Sequence, residues 1–306
     1  MAQLDCRVHP TRRPVEVLTI MRALDPEVKD AVWRAVCPLI PAPIDTHPLG
    51  RHRRRKPDRD CFEVMLVRLA TGCSWEDAER LCGNTVSDTT VRSRRDEWIE
   101  AGVYEAIASE ALCAYDRIIG LELSDVAVDG SQHKAPAGGE GTGKNPTDRA
   151  KLGWKWSVLT DANGIPIGWA IDGANRHDSV LLPATLAAAG ERGLLEEIET
   201  IWLDRGYDSG TVRAELAASG VDDAVIAKKR KAGTKGSTPA PHQPIGLRWP
   251  VERTNSWLSN FGALRRSNSR KIAHRLAELA LAVAFLLTAK LIDWRNRWMP
   301  DLSPIR

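Results

Sequence analysis

The sequence predicts an α/β protein in which a mixed sheet flanked by helices follows an all-helical domain. Apolar residues recur with helical spacing before residue 115, whereas short apolar strands alternate with helices after it. A chain of 306 residues is also long enough for two domains. The expected parts are an N-terminal extension (1–19), a helical domain (20–115), an α/β domain (116–298) that contains a basic loop (228–247), and a tail (299–306).

The helices of the first domain are predicted from apolar periodicity and from their caps. Phe62, Met65, Leu66 and Leu69 repeat at i, i+3, i+4 and i+7, and Gly72 follows as a stop. Other predicted helices run from Ala31 to Leu39, from Trp75 to Cys82 behind a Ser74 cap, and from Ser87 or Asp88 to about Glu100.

The order helix, short helix, glycine turn, helix is typical of a helix-turn-helix. Thr90, Arg92, Arg94 and Arg95 lie near the start of the last helix, where a recognition helix contacts bases and phosphates. The pattern therefore favours DNA binding. The alternative is a small helical bundle for protein contacts, with these arginines in solvent.

The second domain is predicted as strand, hairpin, helix, strand, helix, strand and helices. Its expected elements are the strand Val126 to Val128, the hairpin Trp154 to Thr160 and Ile165 to Ile171, the helix from Asp178 or Ser179 to about Ala189, the strand Thr200 to Leu203, the helix Val212 to Ala218, the strand Ala224 to Ala227, a helix starting at Pro250, and a long apolar helix to about Trp294. The glycine-rich segment 138–144 is expected to be a flexible loop over the substrate.

Three acidic residues are the candidate catalytic groups. Asp129 and Asp204 each follow a predicted strand, and functional groups gather beyond the carboxyl ends of strands in open α/β sheets. Glu252 lies in the first turn of a helix between Arg248 and Arg253. Oxygen ligands favour Mg²⁺ or Mn²⁺, and two such ions support displacement at phosphorus. Taken alone, Glu252 is more simply a residue that stabilises its own helix.

Basic residues are clustered although the net charge is only +3. Such clusters are consistent with phosphate-backbone binding, and a single cluster is more simply a solvated surface. The candidate DNA contacts in these clusters and beside Glu252 are Arg53, Arg54, Arg55, Lys228, Lys229, Arg253, Arg265 and Arg266.

Several other patterns argue against alternative functions. The cysteines have no CxxC spacing, so neither a zinc ribbon nor a disulfide framework is expected. No signal peptide or membrane span is expected, which predicts a cytoplasmic, nucleoid-associated protein. The segment 138–145 lacks the Ser or Thr of a P-loop, and His133 and His177 lack partners at zinc-ligand spacing. Asp178 and Asp208 are interpreted as helix caps.

Four motifs together resemble the DDE transposases of bacterial insertion sequences, in the branch named after insertion sequence five. They are Val128-Asp129-Gly130-Ser131, the stretch from Gly138 to Arg149, Leu203-Asp204-Arg205-Gly206-Tyr207-Asp208-Ser209, and Arg248 to Trp257. Cys37 to Pro41 and Thr71 to Trp75 resemble the helical N-terminal domain of that branch, so the resemblance covers nearly the whole chain.

The resemblance implies an RNase H-like catalytic domain that cleaves and joins DNA with two Mg²⁺ or Mn²⁺ ions. It implies that Asp129, Asp204 and Glu252 bind the metal and that Arg248 assists at the terminal phosphates. The family's tyrosine and lysine positions are Ile245 and Ser259 here, which leaves the residue that grips the flanking strand open.

The implied partners are double-stranded DNA, as element ends and target, and at least one further copy of the chain on DNA. Two alternatives remain at this point. One is a stand-alone nuclease of the same fold, and the other is a DNA-binding derivative without catalysis.

Overall fold

The computed structural model describes residues 22–43, 54–221, 223–227 and 248–299. Within these ranges the chain has the predicted fold, in which a helical region precedes a mixed sheet with helices on its faces. The helices of the first region are α1 (Pro26–Val36), α2 (Asp58–Thr71), α3 (Trp75–Leu81), α4 (Asp88–Glu100) and α5 (Val103–Ile118).

The predicted caps set the ends of the helices in this region. Gly72 ends α2 in the left-handed conformation at φ 73°. The Ser74 hydroxyl accepts a hydrogen bond from the Asp77 N–H and begins α3, and the Ser87 hydroxyl does the same for Thr90 in α4. The first helix starts earlier than predicted, and its end over Cys37–Leu39 is a 3₁₀ turn.

Helix α5 was not among the predicted elements. Its buried positions are Val103, Tyr104, Ile107, Ala108, Ala111, Leu112 and Tyr115. From Tyr104 onwards they recur with helical spacing, so the signal for this helix is present in the sequence and the prediction missed it.

The sheet has six strands, β1 (Asp125–Lys134), β2 (Gly143–Lys144), β3 (Leu152–Thr160), β4 (Pro166–Gly173), β5 (Thr200–Leu203) and β6 (Asp223–Ile226). Their order is β2-β3-β1-β5-β6, with β4 also paired to β3. The β1–β5 and β5–β6 pairs are parallel, whereas β1–β3 and β3–β4 are antiparallel. This is the mixed sheet of the RNase H-like class.

Strand β1 is longer than the sequence predicts. Its residues after Asp129 continue in antiparallel register with β3, from Gly130 opposite Ser157 to Lys134 opposite Gly153. The polar side chains of this half gave no apolar signal, so the prediction ended the strand too early.

The helices of the second region are α6 (Asp178–Gly190), α7 (Gly210–Ala218), α8 (Trp249–Ser259), the short α9 (Gly262–Arg265) and α10 (Ile272–Trp298). Helix α10 is the long apolar helix of the prediction, and it packs mainly against α5 and α1. Among the described ranges, no helix combines the length and the apolarity that a membrane span requires.

One hydrophobic core joins the helical region to α10. The rings of Phe62 in α2 and Phe285 in α10 stack with their centroids 6.0 Å apart. The buried guanidinium of Arg68 donates to Glu278 across the same contact at 2.6 Å. The proposed boundary between the helical domain (20–115) and the α/β domain (116–298) therefore crosses a shared core, and it remains a prediction.

The glycine-rich segment differs from the predicted flexible loop. The fully buried guanidinium of Arg275 donates to the carbonyls of Gly138 and Glu140, and the Glu140 N–H donates to the Arg270 carbonyl at 2.8 Å. The Glu140 carboxylate in turn accepts from the Ile272 N–H at the start of α10. These bonds fasten the segment to α10, so it does not behave as a free lid.

Candidate active site

Asp129 lies in β1 just beyond the point where this strand separates from β5. The parallel ladder ends with Ala127 opposite Trp202, and Asp129 is two residues further along, opposite Val158 of β3. Asp129 therefore lies within a longer strand rather than at its end. The two aspartate-bearing strands, β1 and β5, are parallel neighbours in the sheet.

Asp204 follows β5 directly and opens a 3₁₀ turn over Arg205–Tyr207, in which its Oδ1 accepts from the Gly206 N–H at 2.7 Å. Burial raises the pKa of Asp129 to about 6; the Arg248 charge and the Gly130 N–H oppose this rise, and the charges of Asp204 and Asp178 add to it. We call Asp129, Asp178 and Asp204 the acidic site.

Glu252 lies in the first turn of α8 and points into solvent. Its side chain is 59% exposed, and its Oε1 lies 3.6 Å from Nη2 of Arg248. Within the described ranges, no three His, Cys, Asp or Glu side chains are close enough to hold a metal ion together. The structure thus brings Asp129 and Asp204 together, while the Glu252 carboxylate is paired with Arg248 instead.

Helix α8 nevertheless touches the acidic site through a residue that the sequence did not reveal. The Asn255 side-chain amide donates to Asp129 Oδ2 at 3.1 Å, and its oxygen accepts from the indole of Trp156 at 2.8 Å. Glu252 is three residues before Asn255, and residues at this spacing share one helix face. A polar residue on the buried face of a helix was the only signal available in the sequence.

The donor set suits a hard divalent cation. The acidic site offers carboxylate oxygens, which Mg²⁺ and Mn²⁺ prefer. The raised pKa of Asp129 reflects burial and crowding among like charges, which a bound cation would offset. Asp129 and Asp204 therefore suit such a cation by their chemistry, but the described residues do not form a three-ligand metal site, because the third carboxylate of the predicted set, Glu252, is turned away.

The histidines near the site are not arranged as metal ligands. The His133 ring stacks on Trp156 with centroids 3.6 Å apart, and burial lowers the pKa of His133 to about 3. His177 caps α6 by accepting from the Ser179 N–H. These contacts agree with a structural role for both residues.

The predicted DNA contacts of α4 separate into exposed and buried side chains. Arg92 is exposed and pairs with Asp88 at 2.5 Å, and Thr90 is half-buried. Arg94 and Arg95 differ from the expectation because both are buried. Arg94 pairs with Asp58 of α2 and with Glu97, so it links two helices of this region, whereas Arg95 pairs with its neighbour Asp96 and lies over the ring of Trp75 in α3.

The other predicted contacts lie on several surfaces. Arg54, Arg265 and Arg266 are exposed, whereas Arg55 is half-buried in ion pairs with Asp58 and Glu97. Three predicted contacts, Arg53, Lys228 and Lys229, lie outside the described residues.

Arg253 in α8 is enclosed by aromatic rings. Its guanidinium lies 4.0 Å from the centroid of Trp249 and 4.6 Å from that of Trp257, and it donates to the Asn163 carbonyl. The Arg253 guanidinium therefore already makes contacts within the protein.

Family models match two segments of the chain. Residues 121–288, more than half of the sequence, match the family described as "Transposase DDE domain". Residues 28–108 match the family described as "Putative transposase of IS4/5 family". The first segment contains the whole sheet together with α8, and the second contains most of the helical region.

Two proteins of Burkholderia cepacia are similar to the chain. The "Putative transposase for insertion sequence element IS402" is 42% identical over 130 residues, which are 40% of this chain and 57% of that protein. The "Insertion element IS402 uncharacterized 16.2 kDa protein" is 31% identical over 123 residues, which are 40% of this chain and 82% of that protein. The chain thus spans just over half the length of the first relative.

Proposed function

The chain belongs to the transposase family that carries a DDE domain, and we propose that it cleaves and joins DNA at the terminal inverted repeats of its own insertion sequence. Members of this family use divalent metal ions. The observation that carries the proposal is the parallel pairing of β1 with β5, because it brings Asp129 and Asp204 to one place in the sheet.

Asp129, Asp204 and Glu252 are the residues that would hold the ions, taken here as two Mg²⁺ or Mn²⁺. When bound, the ions supply activation of the attacking oxygen and stabilisation of the leaving oxygen at phosphorus. Glu252 is included because it lies one turn before Asn255, which contacts Asp129.

The surrounding residues orient these carboxylates and balance their charge. The Asn255 amide fixes one oxygen of Asp129, which limits the directions that the carboxylate can take. The Arg248 guanidinium acts on Asp129 and pairs with Glu252, so a positive charge lies where a terminal phosphate would approach the acidic site. Guanidinium groups bind phosphates through charge-assisted hydrogen bonds.

The helical region is the part that binds the inverted repeats. Arg92 and Thr90 at the start of α4, and Arg54 before α2, are accessible for this purpose, and Arg265 and Arg266 add positive charge beside the sheet. Arg53, Lys228 and Lys229 complete the proposed DNA contacts. Two element ends require two active sites, so we expect at least a dimer on DNA, acting in the cytoplasm at the nucleoid.

The proposal is tested with the full chain and a duplex that ends in the element's inverted repeat. We expect nicking at the end in Mg²⁺, no nicking in EDTA, and joining of the freed 3′-hydroxyl to a second DNA. Asp204→Asn should abolish nicking and leave duplex binding in a gel-shift assay unchanged. The matched control is Asp223→Asn, at an exposed aspartate that begins β6 beside Thr200.

The outcomes separate the alternatives. Nicking without joining would identify a stand-alone nuclease, and binding without metal-dependent nicking would identify a derivative that has lost catalysis. Undiminished nicking by Asp204→Asn would remove the acidic site from the reaction.

A further inference from the structure

Three neighbouring strands of the sheet meet at one end. The strands β2, β3 and β1 are adjacent in the sheet order, and their backbones pair with Gly143 opposite Gly153 and Gly153 opposite Lys134. Neighbouring strands lie about 4.8 Å apart. The outer two of these three strand ends are therefore separated by roughly 10 Å, which is close enough for their side chains to contact one ligand.

Four basic side chains are carried by these strand ends. We call them the strand-end surface, and they are Lys134 at the end of β1, Lys144 at the end of β2, Arg149 in the turn that follows, and Lys151 just before β3. All four are exposed, and none of them forms an ion pair with another described residue. Exposed arginines elsewhere are often paired, as Arg80 is with Asp77 at 3.0 Å. The strand-end surface therefore presents positive charge that is free to bind an anion.

The turn that carries Arg149 is held in an uncommon conformation. Arg149 and Ala150 have φ values of 50° and 55°, in the left-handed region that residues with a side chain rarely adopt. The Ala150 N–H donates to the Asn145 carbonyl at 3.0 Å, and the Thr147 hydroxyl donates to Gln132 Oε1 of β1 at 3.0 Å. Such conformations persist where the surrounding structure fixes them, and they concentrate at ligand contacts. The backbone beneath Arg149 is therefore fixed against the sheet.

The strand-end surface adjoins Arg266 and lies at a defined distance from the acidic site. Lys134 and Arg266 form a parallel bridge, and the Ser267 N–H donates to the Lys134 carbonyl at 2.9 Å. Asp129 and Lys134 belong to the same strand, β1, five positions apart, which corresponds to about 17 Å. Because B-DNA rises about 3.4 Å per base pair, this distance equals about five base pairs.

We propose that the strand-end surface binds the phosphate backbone of the duplex about five base pairs from the bond that is cut. The inference rests on the proposed function, because the distance is counted from a scissile phosphate at Asp129 and Asp204. The partner is double-stranded DNA, and the contacts do not read its sequence, because lysine and arginine contacts to phosphates carry no sequence information directly.

The first test measures DNA binding by the full chain in EDTA, so that cleavage does not contribute. The probe is the duplex that ends in the inverted repeat, and fluorescence anisotropy gives its affinity over a range of salt concentrations. Each phosphate contact contributes about 0.9 to the slope of log affinity against log salt. Lys144→Gln with Lys151→Gln should therefore lower the magnitude of this slope by about two, with an unchanged melting temperature.

A matched pair of arginines controls for net charge. Arg149→Gln should lower the magnitude of the slope by about one. Arg117→Gln removes the same group from an exposed position in the last turn of α5, where Arg117 likewise has no ion pair with a described residue. It should leave the slope unchanged.

The second test locates the contact on the DNA. A neutral methylphosphonate replaces one phosphate at a time on both sides of the cut bond. About four to six base pairs from that bond, the replacement should weaken binding by the unaltered chain. It should have little further effect on Lys144→Gln with Lys151→Gln, because the contact is already lost. The same replacement at the far end of the duplex should affect neither protein.

Two results would overturn this inference. One is an unchanged salt slope in Lys144→Gln with Lys151→Gln, and the other is an equal fall in slope for Arg149→Gln and Arg117→Gln, which would reduce the effect to net charge. The proposed function fails on a different observation, because it requires the unaltered chain to nick the duplex in Mg²⁺. Absence of nicking would count against that function even if the strand-end surface binds DNA.

Discussion

The side-chain amide of Asn255 in α8 donates to Asp129 Oδ2 in β1 at 3.1 Å, across 126 positions of sequence. The same side chain accepts from the indole of Trp156 in β3. One residue therefore ties the helix that carries Glu252 to the two central strands beneath it. This contact and the hydrogen bond from Thr254 to the Gly164 carbonyl hold α8, and with it Glu252, against the sheet.

Substitution of Asn255 should affect both stability and catalysis. Asn255→Ala leaves the indole of Trp156 unpaired, which should lower the free energy of unfolding by about 1–3 kcal/mol. It also frees the Asp129 carboxylate, and loss of such orienting contacts lowers metal affinity or activity by about 10–100-fold. Urea unfolding and the cleavage assay measure the two effects.

The control for this substitution is Ser256→Ala, at the exposed neighbouring position of α8. It should leave both quantities unchanged. Full cleavage activity in Asn255→Ala, after correction for the folded fraction, would show that Asp129 needs no orienting partner.

Much of the fold was predictable because local rules and the final structure agree. Ser74, Ser87 and Gly72 mark helix ends through interactions within a few residues, so the sequence alone reveals them. Helix α5 was missed although its buried positions recur with helical spacing, so this error lies in the prediction and not in the sequence. The second half of β1 was missed because its side chains are polar and carry no apolar signal, although its backbone pairs with β3.

The identities of the candidate site residues could be predicted from the sequence, but their arrangement in space could be predicted only in part. Asp129 and Asp204 could be named from the sequence because each follows a predicted strand, whereas the parallel pairing of those strands comes from the structure. The burial of Arg94 and the ion pair of Lys155 with Asp178 depend on contacts between distant elements, and no local pattern reports them. A lysine between two tryptophans in a predicted strand was the available sign of a buried, paired charge.

Two arginines of α4 should respond differently to substitution. Arg92 is exposed, so Arg92→Ala should weaken duplex binding and lower the magnitude of the salt-dependence slope by about one, with unchanged stability. Arg94 is buried in ion pairs, so Arg94→Met should destabilise the protein by about 3–5 kcal/mol. Fluorescence anisotropy at several salt concentrations and thermal melting distinguish the two responses. Equal losses of DNA affinity at unchanged stability would contradict the assignment of Arg94 to the interior.

The buried Arg68–Glu278 pair should couple the helical region to α10. Arg68→Met leaves Glu278 buried with only the Ser269 hydroxyl as a described partner, which should cost about 3–5 kcal/mol. Arg68→Met with Glu278→Leu removes both charges and should recover most of that loss. Urea unfolding of Arg68→Met, of Glu278→Leu and of the double variant gives the coupling energy. Additive losses in the double variant would show that the two side chains do not interact.

Lys290 should make the stability of the protein rise with pH in the alkaline range. Its ammonium lies 3.7 Å from the centroid of the Trp257 ring, and Arg253 and Asp161 are the charges that act on it. Burial, with a smaller contribution from Arg253, lowers the pKa of Lys290 from 10.5 to about 8, and Asp161 opposes this shift. Between these two pH values the unfolded chain binds a proton that the folded chain does not, so the free energy of unfolding increases as pH rises through this window.

Lys290→Met should remove this dependence. Below pH 8 the folded protein carries the cost of the buried charge, so the variant should be more stable at pH 7 by about 1–3 kcal/mol, the lost cation–π contact offsetting part of the gain. Urea unfolding of both proteins at pH 7 and pH 10 measures the difference in their free energies of unfolding. We expect this difference to become smaller towards pH 10. Lys151→Met, at an exposed lysine before β3, is the control and should follow the unaltered protein at both pH values. The two proteins could instead differ in their free energy of unfolding by the same amount at pH 7 and at pH 10. That result would mean that Lys290 is solvated in the folded state.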